Sequence, residues 1–193
     1  MRTPEYYLQE GEFTGIGPGI RELSESLAEK GLPEAITEFL NSDKMSKSKH
    51  KKWEKTADEL VEKGILSGCT DAAIVFLSLM RARGIPSQYV ETVREDMIAD
   101  QSEYRTMHGH VFARIYVDGK WQAYDPLHGP LDEQNHVFER GSGTYVEIAH
   151  GLDHSCLESR FRPGEIFSLL TVGDRWNLVE LAKESIETGK YKQ

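Results

Sequence analysis

Cysteine is almost missing from this sequence: Cys69 and Cys156 are the only two in 193 residues. A pair so far apart, in unlike settings, makes neither a disulfide framework nor a cysteine-rich zinc site. Long apolar runs are missing too, so no segment approaches the roughly 20 residues that a membrane-spanning helix needs. Basic charge is in deficit, with 23 Lys and Arg against 32 Asp and Glu and a formal net charge of -9. A general role on nucleic acid or on an anionic membrane would have to work against the field of the whole molecule. The opening residues Met1-Arg2-Thr3-Pro4-Glu5 show no basic stretch leading into an apolar one and a small-residue cleavage site, so the expected location is the cytoplasm. With 38% hydrophobic residues the chain has material for one sizeable core. A single domain over 1–193 is expected, with a helical part over 1–63, a core over 64–126 and an extension over 127–193.

Glycine and proline crowd residues 11–19, a turn-rich lead-in to a helix expected over 20–30, where Ile20, Leu23 and Leu27 recur at helical spacing. A second helix is expected over 33–41, with Pro33 suiting its first turn. Residues 43–55 are strongly basic and read as a solvated loop and helix face. Within them Lys44-Met45-Ser46-Lys47-Ser48 spells the ATP-site loop of class I aminoacyl-tRNA synthetases. The His-x-Gly-His element that such enzymes pair with it is absent, and a five-residue match without its context carries little weight. Trp53, Ala57, Leu60 and Val61 give the next helical stripe, which closes at Lys63-Gly64.

Over 69–83 the apolar side chains Ala72, Ala73, Ile74, Val75, Phe76, Leu77, Leu79 and Met80 cover most of a helix circumference, the mark of a buried central helix. Gly84 stops it, and a β-type run over 87–93 follows Ile85-Pro86. Further β-like segments are expected over 145–149 and 166–172, with a terminal helix over 174–188. The elements together read as an α+β fold.

The clearest local signal is Asp118-Gly119 between two β-rich runs, a two-residue hairpin turn of type I′. Val117 then faces Lys120, and the antiparallel register carries Phe112 opposite Asp125 and His110 opposite Leu127. Because side chains alternate faces, His110, Phe112, Arg114 and Tyr116 share a face with Trp121, Ala123, Asp125 and Leu127. His110 and Asp125 become diagonal neighbours, about 7–8 Å apart at the backbone, a span that an imidazole and a carboxylate can bridge. The carboxylate there can fix the histidine tautomer and stabilise the imidazolium. Cys69 opens the buried helix, where the helix dipole and a nearby imidazolium favour the thiolate. Asp71 suits the first turn of the same dipole.

The segments Gly68-Cys69-Thr70-Asp71-Ala72-Ala73 through Arg83-Gly84-Ile85-Pro86, and Gly109-His110-Val111-Phe112-Ala113 through Tyr124-Asp125-Pro126, resemble the core of the transglutaminase-like superfamily. In that family a cysteine opens a helix closed by a Gly-Ile-Pro turn, a histidine begins one strand, and an aspartate before proline ends the next. The resemblance covers residues 64–126. It implies a papain-like core in which the helix packs on an antiparallel sheet, with Cys69 as nucleophile, His110 as base and Asp125 as the orienting group. The activity it implies is thiol-dependent hydrolysis of peptide or carboxamide bonds through an acyl-enzyme, on a peptide or protein substrate and without a cofactor. Acyl transfer to an amine, and a binding module that keeps the fold without turnover, remain as alternatives. Phe112 stands where the family carries an aromatic residue after the histidine. For a second oxyanion donor Trp53, Lys63 and Ser67 are candidates, while Phe112, Trp121 and Tyr124 read as core and cleft walls.

Each residue alone has a blander reading. A cysteine at the start of an apolar helix is commonly a small buried hydrophobe, and an aspartate before proline is commonly turn punctuation. His108, His110 and His128 with Cys69 or Asp125 also have the makings of a zinc site. The nucleophile reading additionally accounts for the helix start, so no metal is expected. Cys156, beside His154, has no helix start to activate it. Residues 127–159 form either a lid over the cleft or an ordinary excursion of the chain.

Overall fold

The computed structural model of the chain describes residues 2–28, 31–50, 54–94, 109–134 and 136–158. Helices α1 (Pro18–Ser26), α2 (Leu32–Leu40) and α3 (Ala57–Lys63) precede α4 (Cys69–Ala82). The sequence expectation for α1 was late and long: Pro18 takes the first turn, and the chain is already extended at Leu27. In α2 the buried Leu32, Ile36 and Leu40 recur every fourth residue and so lie on one face. Thr56 and Glu59 form a reciprocal capping box at the start of α3, and Gly64, left-handed at φ 59°, ends it. Between α2 and α3 the basic run is not simply a loop: β1 (Ser46–Lys47) pairs in parallel with β2 (Ile65–Leu66). Its neighbour Met45 reaches the core.

Every residue from Thr70 to Arg81 in α4 is buried, as expected of a central helix. Arg81 is the one buried cation of this helix. It donates to the carbonyls of Tyr7, Ser87 and Leu152 and to Thr14 Oγ1, pinning the N-terminal segment to the body of the fold. A buried charge is tolerable only with such a full set of partners.

The sheet contains β3 (Ser87–Arg94), β4 (Gly109–Val117), β5 (Lys120–Asp125), β6 (Gly129–Pro130), β7 (Asp132–Gln134), β8 (Val137–Arg140), β9 (Gly143–Gly151) and β10 (Leu157–Glu158). Their order is β6-β5-β4-β3-β9-β8-β7, with β10 on β9, and each pair is antiparallel. Asp118 and Gly119 both have positive φ, 53° and 76°, and Val117 pairs with Lys120, so the hairpin has the expected turn and register. Of the expected lid or excursion over 127–159, the described residues are not a lid over a finished domain: β9 lies within the sheet, between β3 and β8. An extra residue on β9 makes a bulge opposite Glu91 and Thr92.

One sheet face carries Tyr89, Val111, Ala113, Ile115 and Tyr124 against the helices. The other carries Val90, Phe112, Ala123, Phe138 and Tyr145 in a second core. The sheet wraps around that second core, bringing β7 back against β5, where the Leu131 amide donates to the Ala123 carbonyl. β3 and β4 are therefore covered on both faces. Among the described residues no helix is long and apolar enough to cross a membrane. The β-like segment and helix expected over 166–188 lie outside the described residues.

Candidate active site

α4 starts at Cys69, so the first-turn amides have no partner within the helix and its dipole points its positive end at the thiol. The turn before it is clamped by Asp71, whose Oδ2 accepts from both the Ser67 amide and the Ser67 hydroxyl at 2.7 Å. His50 lies against the same carboxylate, its Nε2 2.9 Å from Oδ2.

His110 sits near the start of β4, beyond the last β4–β5 rung, which pairs Ala113 with Tyr124. Gly109 precedes it because a Cβ there would meet the Thr92 carbonyl oxygen at 2.7 Å. The His110 ring leans on Phe112, centroids 4.7 Å apart, and its Nε2 is 3.1 Å from Asp125 Oδ2. The diagonal relationship expected from the hairpin is the one found. The same ring also hydrogen-bonds the Cys69 sulfur. The backbone of Val111 adds a hydrogen bond to that sulfur.

Asp125 ends β5 fully buried. Its Oδ1 accepts from the Leu127 amide at 2.9 Å. Its Oδ2 receives the Arg140 Nε at 2.6 Å and lies 3.0 Å from His128 Nδ1, in addition to His110.

This geometry fixes the electrostatics. Burial pushes the Cys69 thiol up, and Glu91 adds to that, yet the bond to His110, its positive charge and the Val111 backbone bring the thiol below its ordinary value. Burial lowers the His110 imidazolium, but bonds to Asp125 and Cys69 carry it up to about 9. Burial raises Asp125, but the bonds from His110 and Leu127 hold it well below the usual carboxylate range. Cys156 goes the other way, raised by burial and by the charge of Asp153. The two cysteines thus differ in kind: one is drawn toward thiolate, the other held as thiol. A thiolate, an imidazolium and an orienting carboxylate are the parts required for nucleophilic attack on a carbonyl followed by proton delivery.

The other sequence candidates are dispersed. Ser67 is beside the site but its hydroxyl is committed to Asp71. Phe112 is completely buried beneath His110 and has no surface to line a cleft. Trp121 lies four residues back along β5 from Asp125, about 13 Å, and packs edge-on against Tyr7 and Tyr116. Tyr124 stacks on Phe76 within the core. Trp53 and His108 lie outside the described residues.

Two features escaped the sequence reading. Arg140 carried no signal, because β8 itself was not anticipated. The second is a polar cluster within the wrapped sheet, where Glu133, His136 and Glu147 bring ligand atoms within 4.8 Å of one another. That space already holds a cation: the Arg114 guanidinium bonds Glu133, Glu147 and His136. Burial pushes Glu147 up, but the Arg114 charge together with bonds from His136, His150 and Arg114 holds the carboxyl far below its usual range.

The family model of the transglutaminase-like superfamily matches residues 21–126. No curated protein matches significantly. The fold is similar to a crystal structure from Cytophaga hutchinsonii described as a "putative cysteine protease", with a TM-score of 0.54 and 18% sequence identity, over 77% of this chain and 47% of that one. The matched region is thus about half of that protein's length.

Proposed function

The chain belongs to the transglutaminase-like superfamily, and from that premise we propose that it is a thiol-dependent hydrolase that cleaves peptide or carboxamide bonds through an acyl-enzyme on Cys69. What supports this reading is one observation: a single imidazole, His110, bonded both to the helix-opening thiol and to a buried carboxylate. The Cys69 thiolate attacks the substrate carbonyl carbon and forms a C–S bond, with the oxyanion facing the first-turn amides of α4. As the C–N bond breaks, His110 gives its proton to the departing amine. The neutral ring then takes a proton from water, whose oxygen attacks the thioester and releases the carboxylic acid, and the thiolate–imidazolium pair returns. Asp125 keeps the ring in the tautomer that serves the sulfur.

Iodoacetamide labelling resolved by peptide mapping tests the nucleophile. Cys69 should react at least ten times faster than Cys156 at neutral pH, and His110→Ala should abolish most of that advantage. Equal, slow labelling of both would leave only a binding module. A panel of peptide and carboxamide substrates with hydroxylamine as a competing acceptor then separates water from amine as the second substrate: hydroxamate as the sole product would replace hydrolysis with acyl transfer.

A further inference from the structure

We infer that Arg140 is a positioning residue that keeps Asp125 ionised and withdraws part of its charge from His110, so that the imidazolium stays able to surrender its proton. The inference rests on the proposed role of His110 but is measured independently of turnover.

Asp125 Oδ2 meets three nitrogens, Arg140 Nε at 2.6 Å, His128 Nδ1 at 3.0 Å and His110 Nε2 at 3.1 Å. A carboxylate oxygen has two lone pairs in its plane, so the guanidinium and the His110 ring compete for it, and the shortest contact belongs to the guanidinium, whose Nη2 also lies 3.1 Å from His128 Nδ1. Arg140 carries its charge at every working pH. An imidazolium paired alone with a fully buried carboxylate gains all of that carboxylate's attraction and holds its proton tightly. A permanent cation on the same oxygen takes a share of the attraction and repels the ring across it. Arg140 also anchors Asp125 from β8, the far side of the wrapped sheet, while His110 approaches from β4. The carboxylate is therefore fixed between two strands that are not neighbours. Among the described residues the other ionisable groups around His110 are Cys69 on α4, Glu91 on β3 acting through Cys69, His128 after β5, and Tyr145 on β9 with ring centroids 5.9 Å away.

The test follows the His110 ring by NMR titration in the full chain. Cys69→Ala with His128→Gln serves as the reference, because it removes the coupled thiolate and the competing half-exposed imidazole. Adding Arg140→Gln should raise the His110 midpoint by at least about half a pH unit, whereas Arg140→Lys should leave it within a few tenths. An unmoved or lowered midpoint in a folded Arg140→Gln protein overturns the inference. If that variant does not fold, Asp125→Asn in the same reference decides. Adding Arg140→Gln to it should raise the His110 midpoint, because only the repulsion from the guanidinium is then left to remove, and an unmoved or lowered midpoint overturns the inference. Wild-type labelling that fails to favour Cys69 would instead overturn the proposed reaction and leave the Arg140 titration result standing.

Discussion

Asp71 binds Ser67 twice with one oxygen, taking the amide and the hydroxyl at 2.7 Å each, four residues apart across the turn that delivers Cys69. The carboxylate lies in the first turn of α4, where the dipole alone would justify it. Its contacts give it a second task, which is to hold the backbone just ahead of the sulfur. Asp71→Ala leaves a half-buried amide and hydroxyl without their acceptor, a loss of about 1 kcal/mol. Urea unfolding should show that loss, and Cys69 labelling should slow several-fold. Unchanged stability and labelling together would show that Ser67 finds its position without the clamp.

Asp125→Asn removes the charge that holds the His110 tautomer while keeping the side chain's shape. In a well-studied serine triad the equivalent change lowers turnover about 10⁴-fold. Because thiolate formation here depends also on the helix terminus, a smaller loss is expected, on the order of 10²-fold in hydrolysis of a responsive substrate. A loss under threefold would exclude Asp125 from that role.

Stability should follow pH through the same residues. His110, raised from 6.5 to about 9, contributes stability that is fully present below pH 6.5 and is lost as pH rises through about 9. Cys69, lowered from 9.0, works in the opposite sense, its contribution present above pH 9.0 and lost as pH falls through its lowered value. Cys69→Ala removes that opposing trend, so its urea midpoint should decline steadily as pH is raised above 6.5. Asp125, lowered from 3.8, surrenders its share only in acid. A midpoint in Cys69→Ala that stays flat up to about pH 9 would contradict the imidazolium–carboxylate pairing.

Gly109→Ala places a methyl 2.7 Å from the Thr92 carbonyl oxygen, a backbone atom of the adjoining strand. Strand β4 must shift just where it presents His110. A cost of about 1–3 kcal/mol is expected, accompanied by slower Cys69 labelling. A variant as stable as wild type but slower to label would show that the shift is local to the histidine.

Thr56→Ala breaks the capping box of α3 by removing the acceptor for the Glu59 amide. The expected loss is about 1 kcal/mol. Because neither Thr56 nor Glu59 is among the groups that act on the Cys69 sulfur, labelling of Cys69 should be unchanged, which makes this variant a control for stability effects on reactivity.

The central helix and the hairpin were legible because their signals are local. Nearly unbroken apolar sequence specifies a buried helix, and Asp118-Gly119 sets a register from which His110 and Asp125 follow by counting. The match to residues 21–126 reaches further back than the resemblance over 64–126, taking in α2, α3 and most of α1, whose side chains complete the core around α4. What was misread depends on distant partners. Residues 127–158 look like an excursion because β7 and β8 are short and polar, yet β9 is accepted between β3 and β8. Trp121 shares the expected face with Asp125, but alternation fixes only the face, and the strand's length separates the two.

The sequence by itself determined that Cys69 opens a buried helix and that His110 and Asp125 meet across one hairpin, since helix period and strand register are properties of neighbouring residues. Only the tertiary structure decided that the helix end docks beside that hairpin, that Arg140 closes on Asp125 from β8, and that Arg114 occupies the space among Glu133, His136 and Glu147. Those contacts join side chains remote along the chain. Their energies depend on the burial and the shared partners that arise only when the sheet wraps around its second core.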